Sequence, residues 1–315
     1  MKRRVFIVGV GSVLAARASA APPLVGILGP WSATDPVVGM LKRAMSEVGF
    51  TESKNIVVEW RLADGKIERL PTLARELVQL TPAAIVTAGD EGIRAVRRAT
   101  TTIPIVAGSD DLVREGHVAS LAKPGGNVTG VSILGGELNG KRLELLKEAV
   151  PSVSRVAVLW DPGTAGPAIE PLVALGRTLG VEVNVLKIRR FEDLDPAFET
   201  ARAWRADGLN VLASPLLQAL RGPIMERAAR YRLPAIYQWE EFVREGGLMA
   251  YGPIFPDMLR QLFLQLDRVL KGARPADLPV AQPTRFGLAI NLGTAKALGI
   301  TIPASLLVRA DQVVR

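Results

Sequence analysis

Short apolar runs rich in β-branched residues punctuate this chain, and between them apolar side chains return every three or four positions. The runs PLVGILG (23–29), NIVVEW (55–60), AAIVTAG (83–89), IPIVAGS (103–109) and NVTGVSI (127–133) have the length and composition of buried strands. LPTLARELVQL (70–80), between two of them, has helical spacing. This alternation predicts βαβ units, and hence parallel sheets covered by helices on both faces. After Pro151 the series starts afresh with RVAVLWD (155–161), VEVNVLKI (181–188), GLNVLAS (208–214), LPAIYQW (233–239) and LMAYG (248–252). The openings match: VGILGPWS, a helix and VGFTESKNIVVEW run parallel to VAVLWDPG, a helix and LGVEVNVLKI. The pattern predicts an α/β protein of two similar lobes, each an open parallel sheet flanked by helices, joined by a hinge with a ligand cleft between.

Open α/β sheets bind ligands outside the carboxyl ends of their strands. The candidate ligand groups are therefore Trp31, Ser32 and Thr34 after the first strand, Trp160 and Asp161 after its counterpart, and Ser214, Tyr237 and Tyr251 after later strands. Asp90, Glu91, Asp110 and Asp111 add carboxylates, which favour a ligand carrying an amine or several hydroxyls. Asp90 or Glu91 suits equally well a cap on the helix EGIRAVRRA. Each aromatic residue at a strand end either faces the cleft or packs in the core. If Trp31 and Trp160 line opposite lips, a planar ligand lies between them with its amine on Asp90, Glu91 or Asp111.

Glycine absorbs the backbone change of a chain passing between lobes. Asn127, Val128, Thr129, Gly130 and Gly252 are the candidate hinge, with residues 24–128 and about 253–280 in one lobe and 129–252 and about 281–315 in the other. GGELNGKR (135–142) comes one residue short of a phosphate-binding loop, because Arg142 stands where a Ser or Thr hydroxyl would ligate magnesium. A hinge segment is the better reading of it. FPDMLRQLFLQLDRVL (255–270) reads as core packing.

Composition adds an address. The 315 residues are 48% hydrophobic, enough for a substantial core in two domains. MKRRVFIVGVGSVLAARASA (1–20) has a basic start, an apolar run too short to span a bilayer and a small-residue ending, the form of an export signal cleaved near Ala20. Arg3 and Arg4 before Val5 and Phe6 also fit a twin-arginine signal. Removing this segment takes 39 Lys and Arg to 35 against 31 Asp and Glu, and the net charge from +8 to +4. The remaining charges are interspersed, which gives no case for nucleic acid. The chain has no cysteine, which excludes a lipid anchor on an N-terminal cysteine, a thiol nucleophile and a thiolate metal site. Its single histidine, His117, sits among apolar residues at helical spacing in REGHVASLA, where a structural role is favoured over a catalytic one. No catalytic residue, metal or cofactor is expected.

Five segments carry a resemblance to a known family: SLAKPGGNVTGVS (120–132), GKRLELLKEAVPSVSRVAVLWDP (140–162), RLPAIYQWEEFVREGGLMAYGP (232–253), VLKGARPADLPVAQPTRFGLAINLGTAKALGITIP (269–303) and LLVRADQVV (306–314). Over essentially all of residues 24–315 the chain resembles the ABC transporter substrate-binding proteins, in the group that includes tryptophan- and tyrosine-type binders. The resemblance implies a type I periplasmic binding protein fold, a periplasmic monomer, and a small molecule such as an amino acid or related amine or aromatic compound held between the lobes. It also implies delivery to an ABC permease in the inner membrane, and no catalysis. Two places depart from the family pattern. Gly89-Asp90-Glu91-Gly92 stands where the family usually reads Gly-Thr-Pro-Ala, and Asp111-Leu112-Val113, preceded by Asp110, where it reads Asp-Pro-Val. A ligand-sensing domain for a membrane receptor shares every one of these features, and an exported α/β enzyme would have to work with Asp90, Glu91, Asp110 and Asp111.

Overall fold

The computed structural model describes residues 21–133, 135–164 and 169–315, so the expected export signal lies outside the described residues. Strands β1 (Leu24–Gly29), β2 (Val57–Leu62), β3 (Ala84–Ala88), β4 (Ile105–Ser109) and β5 (Val128–Ser132) form a wholly parallel sheet in the order β2-β1-β3-β4-β5. Helices α1 (Pro36–Glu47), α2 (Leu70–Gln79) and α3 (Asp90–Ala99) cover it. The start of α1 is set locally: Asp35 accepts a hydrogen bond from the Val37 amide at 2.9 Å, and Pro36, which has no amide to satisfy, takes the first helical position.

The second lobe repeats the plan. It contains α4 (Gly135–Ala149), β6 (Arg155–Trp160), α5 (Ile169–Thr178), β7 (Glu182–Lys187), α6 (Leu194–Ala203) and β8 (Gly208–Val211). There follow α7 (Pro215–Ala219), α8 (Arg221–Arg230), β9 (Ala235–Tyr237), α9 (Glu240–Arg244) and β10 (Met249–Pro253). The run β7-β6-β8-β9-β10 has the same order as the first sheet, which explains the matched openings in sequence. Here the expectation of a purely parallel sheet is corrected. The chain returns to the first lobe through α10 (Phe255–Leu270) and comes back as β11 (Phe286–Asn291), which runs antiparallel to β10 and makes the sheet mixed. Then α11 (Leu292–Leu298), α12 (Ala304–Arg309) and the edge strand β12 (Gln312–Val314) complete it.

The passages between lobes differ from those expected. β5 is paired along its length with β4, so the first passage lies after Ser132 and the boundary expected at 128/129 moves with it. Val128, Thr129 and Gly130 are thus strand residues of the first lobe and not crossing residues. The Thr129 hydroxyl donates to the Leu278 carbonyl at 2.8 Å, and the Asn127 side-chain Nδ2 donates to the Ile103 carbonyl at 2.9 Å. Gly252 lies inside β10, two residues before Ile254 carries the chain toward α10. The third passage follows Ala281, which still bridges to Val131 of the first lobe.

Residues 135–142 form the first two turns of α4. Lys141 pairs at the surface with Glu144 at 2.9 Å, and Arg142 is completely buried, donating to the Tyr251 carbonyl at 2.7 Å and the Asn139 side chain at 2.6 Å. From Asn139 on the helix takes up the backbone amides that a phosphate loop leaves free, and Arg142 supplies no hydroxyl for magnesium. Equilibrium dialysis with micromolar ATP and magnesium is accordingly expected to show no retention, and magnesium-dependent retention would contradict this geometry.

Candidate functional site

The carboxyl ends of β1, β3 and β4 face those of β8 and β9 across a cavity with about 70 Å³ open to the centres of water-sized molecules. That is several times the roughly 10–15 Å³ that one buried water needs. The first lobe contributes Trp31, Thr87, Asp90, Ser109 and Asp110, and the second contributes Thr164, Ser214, Gln218, Gln238 and Trp239. Phe255, Met258, Leu259 and Leu262 on one face of α10 form an apolar wall.

Asp90 is the first residue of α3 and is 1% exposed. Its Oδ1 accepts a hydrogen bond from the Ser109 hydroxyl at 2.7 Å and lies 3.1 Å from His117 Nε2, while its Oδ2 has no partner. His117 thus holds Asp90 in place; it is buried in a turn, not on the helix its neighbours suggested. Asp110, partly buried beside Asp90, has its carboxyl pushed up to about 7, chiefly by burial and next by the Asp90 charge, with Arg142 and Arg114 pulling the other way. Trp31 Nε1, Thr87 Oγ1, Gln218 Oε1 and both amide atoms of Gln238 are buried around the same space without partners. Buried polar atoms are nearly always hydrogen-bonded, so such a ring around one cavity makes it the candidate site.

Contacts close the lobes over this space. Arg94 donates to the Gly163 carbonyl at 2.6 Å, and Arg221 of the second lobe lies 3.3 Å from Asp35 of the first while also holding Glu245 at 3.0 Å.

Of the residues expected from sequence, the cavity brings together Trp31, Asp90, Asp110 and Ser214. Asp161 stands just behind, accepting from the Ser214 hydroxyl at 2.7 Å and the Gly163 amide at 2.8 Å. The others lie elsewhere. Ser32 and Thr34 bond each other at the surface, Glu91 pairs with Arg94, and Asp111 accepts from the Val113 and Arg114 amides. Tyr237 stacks on Phe242 in the core of the second lobe with ring centroids 4.5 Å apart. Tyr251 serves Arg142 through its carbonyl, and Trp160 lies under Lys187 and outside the cavity. The sandwich of Trp31 and Trp160 is therefore corrected: the tryptophan facing the cavity from the second lobe is Trp239, tilted on Phe255 with centroids 4.6 Å apart. Thr87, Gln218, Gln238 and the α10 face were not singled out by sequence; Thr87 and Gln238 follow the same strand-end rule, whereas Gln218 reaches the cavity from α7.

Burial also makes stability depend on pH. Asp110 and Glu241 are both pushed up to about 7, Glu241 chiefly by burial and with Glu240 and Glu245 raising it against Arg244. Asp110 is faced by Asp90 from α3, by Asp111 and Arg114 from the following turn and by Arg142 from α4. A carboxyl raised in the folded state contributes stability that is fully present below its ordinary value near 4 and is lost as pH rises through about 7. The melting temperature of the ligand-free protein is expected to fall from pH 5 to pH 8, and Asp110→Asn to flatten that fall; an unchanged slope in the variant would remove Asp110 as its source.

A family model described as ABC transporter substrate binding protein matches residues 30–314. A tyrosine-binding protein of Clostridioides difficile (strain R20291) is 25% identical over 260 residues, covering 81% of this chain and 74% of that protein. A conserved domain protein from Vibrio cholerae O1 biovar eltor superimposes with a TM-score of 0.83 at 26% identity, over 92% of this chain and 99% of the other. An ABC domain in complex with L-Trp from Streptococcus pneumonia gives 0.83 at 23% identity, over 93% and 100%. A substrate binding protein with adhesive properties from Clostridium difficile, in its ligand-free, open form, gives 0.61 at 22% identity, over 93% and 99%.

Proposed function

This chain belongs to the family of ABC transporter substrate-binding proteins, and from that premise we propose that it is exported to the periplasm, captures a small amine-bearing solute between its lobes as a monomer, and hands it to an inner-membrane permease. The observation that carries this reading is the ring of unpartnered buried polar atoms around a cavity shared by both lobes. The relatives named for tyrosine and found with L-Trp support an amino acid or a related aromatic amine as the starting class. Capture without catalysis is supported by the order of the bonds around Asp90, where the Ser109 hydroxyl donates to the carboxyl and His117 reaches that same carboxyl oxygen and not the hydroxyl.

The closed arrangement gives the test. A ligand bridging both lobes selects the closed form from a population of open ones. A thermal-shift screen against amino acids, amines, sugars and nucleosides should raise the melting midpoint with the true ligand class, since binding to the folded state stabilises it by mass action. X-ray scattering at saturation should then show a smaller radius of gyration. A proven ligand that leaves the radius unchanged would count against capture by lobe closure.

A further inference from the structure

Resting on the capture reading above, we infer that the cleft takes a small organic cation: an ammonium on an apolar or aromatic body, with no carboxylate of its own and with a neutral hydrogen-bonding group at its far end. The polar groups of the cavity are distributed unequally. On the first lobe, Asp90 presents an unpartnered oxygen and Asp110 lies beside it. Among the described residues lining the cavity there is no Lys, Arg or His. Arg142 and Arg114, whose charges act on Asp110, are outside that lining. A zwitterionic amino acid would satisfy the acids with its ammonium but bring its carboxylate into the same low-dielectric space with no cation to meet it, which is costly.

Helix N-termini are the other places where a ligand carboxylate could dock: those of α3, α4 and α7 are occupied, and the two others that begin at the cavity carry acids in their first turns, Glu240 and Glu241 in α9 and Asp257 in α10. α3 opens with Asp90 and Glu91. At the first residue of α4 the Asp110 carboxyl lies against Gly135, so close that a Cβ there would fall 2.6 Å from it. Ahead of α7 the Ser214 hydroxyl already accepts from the Leu216 and Leu217 amides at 3.0 and 3.2 Å.

The remaining walls suit the rest of a cation. Trp31 and Trp239 offer indole rings from opposite lobes, and Phe255 and Leu259 extend the apolar surface; aromatic faces attract ammonium groups and pack flat ligand bodies. Across from the acids, Gln238 has a free donor and a free acceptor and Gln218 a free acceptor. Those amides match a hydroxyl or an amide on the ligand, not a charge.

Tyramine and L-tyrosine differ only by the carboxylate and make the direct test. Titration calorimetry on the purified protein at pH 8 is expected to give tyramine a dissociation constant at least about tenfold below that of L-tyrosine. Asp90→Asn is expected to weaken tyramine by at least about tenfold while leaving the melting curve cooperative. L-tyrosine binding as tightly as tyramine, or a neutral sugar or nucleoside binding more tightly than any amine, would overturn the inference and leave solute capture standing. If tyramine, tryptamine and phenethylamine all fail to bind the inference falls, and if no solute of the wider panel binds either, the capture reading falls with it.

Discussion

Gly130→Ala is expected to lower the stability of the protein by about 4 kcal/mol or more, the range reached when a backbone site cannot accept a side chain. Gly130 sits in β5 with φ of 144°, a conformation that residues with a Cβ rarely adopt. A Cβ added there would lie 1.9 Å from the Ala107 carbonyl oxygen and 2.6 Å from the Ala107 nitrogen of β4. β4 has no freedom to retreat, because it is hydrogen-bonded between β3 and β5. The same glycine also anchors the returning chain: its carbonyl accepts from the Ala281 amide at 2.8 Å and from the Gln265 side chain at 3.4 Å. A hinge role makes the opposite forecast, with near-normal stability and altered lobe closure. Denaturant titration separates the two, and a loss below about 1 kcal/mol would mean that β5 does not hold this register.

That substitution also marks where the sequence was readable. Ten apolar runs each carry a strand, and the inner strands, buried on both faces, hold apolar residues at nearly every position, as in Ile105 to Ala107 and Val156 to Leu159. β11 escaped because it is mixed in character: Phe286 is exposed, Gly287 follows, and only the second half is apolar and buried. The glycine of β5 looked like a hinge because sequence reports that a residue lacks a Cβ without reporting which neighbour forbids one.

Site residues divide by a similar logic. The rule that ligands bind at strand ends locates a height in the fold, and Trp31, Asp90, Asp110 and Ser214 follow from it. It does not say which way a side chain points. Successive residues of a strand face opposite sides, so Tyr237 enters the core against Phe242 while Gln238, one position on, reaches the cavity. A one-residue difference likewise separates Asp90, turned inward, from Glu91, paired with Arg94 outside. The helical spacing of residues 255–270 does give a buried stripe, but part of that stripe lines the cavity and the rest packs on the first lobe, a division that depends on where the second lobe closes.

Trp31→Ala and Trp239→Ala are each expected to weaken the tightest ligand by about 1.5 to 3 kcal/mol, roughly ten- to a hundredfold, whereas Trp160→Ala should leave affinity unchanged. The two cavity tryptophans come from different lobes, so each offers ring surface that a ligand covers only when the cleft is shut. Trp31 is nearly inaccessible to solvent, with its ring folded back over Gly29, where a Cβ would fall 2.3 Å from it. Its Nε1 is buried without a partner, so Trp31→Phe should keep most of the apolar contact and lose only the hydrogen bond a ligand would accept. Trp239 leans on Phe255 of α10, and removing it exposes the wall that this helix supplies from the first lobe. Trp160 differs in kind: half-buried beneath the Lys187 ammonium, 5.8 Å from its ring centroid, it contributes packing on the far side of β6. Its removal should lower the melting temperature alone. Calorimetric titration of the three alanine variants beside their melting curves decides the matter. Undiminished affinity in both Trp31→Ala and Trp239→Ala would take the ligand out of this cavity, and lost affinity in a well-folded Trp160→Ala would move the site toward the other face of the second lobe.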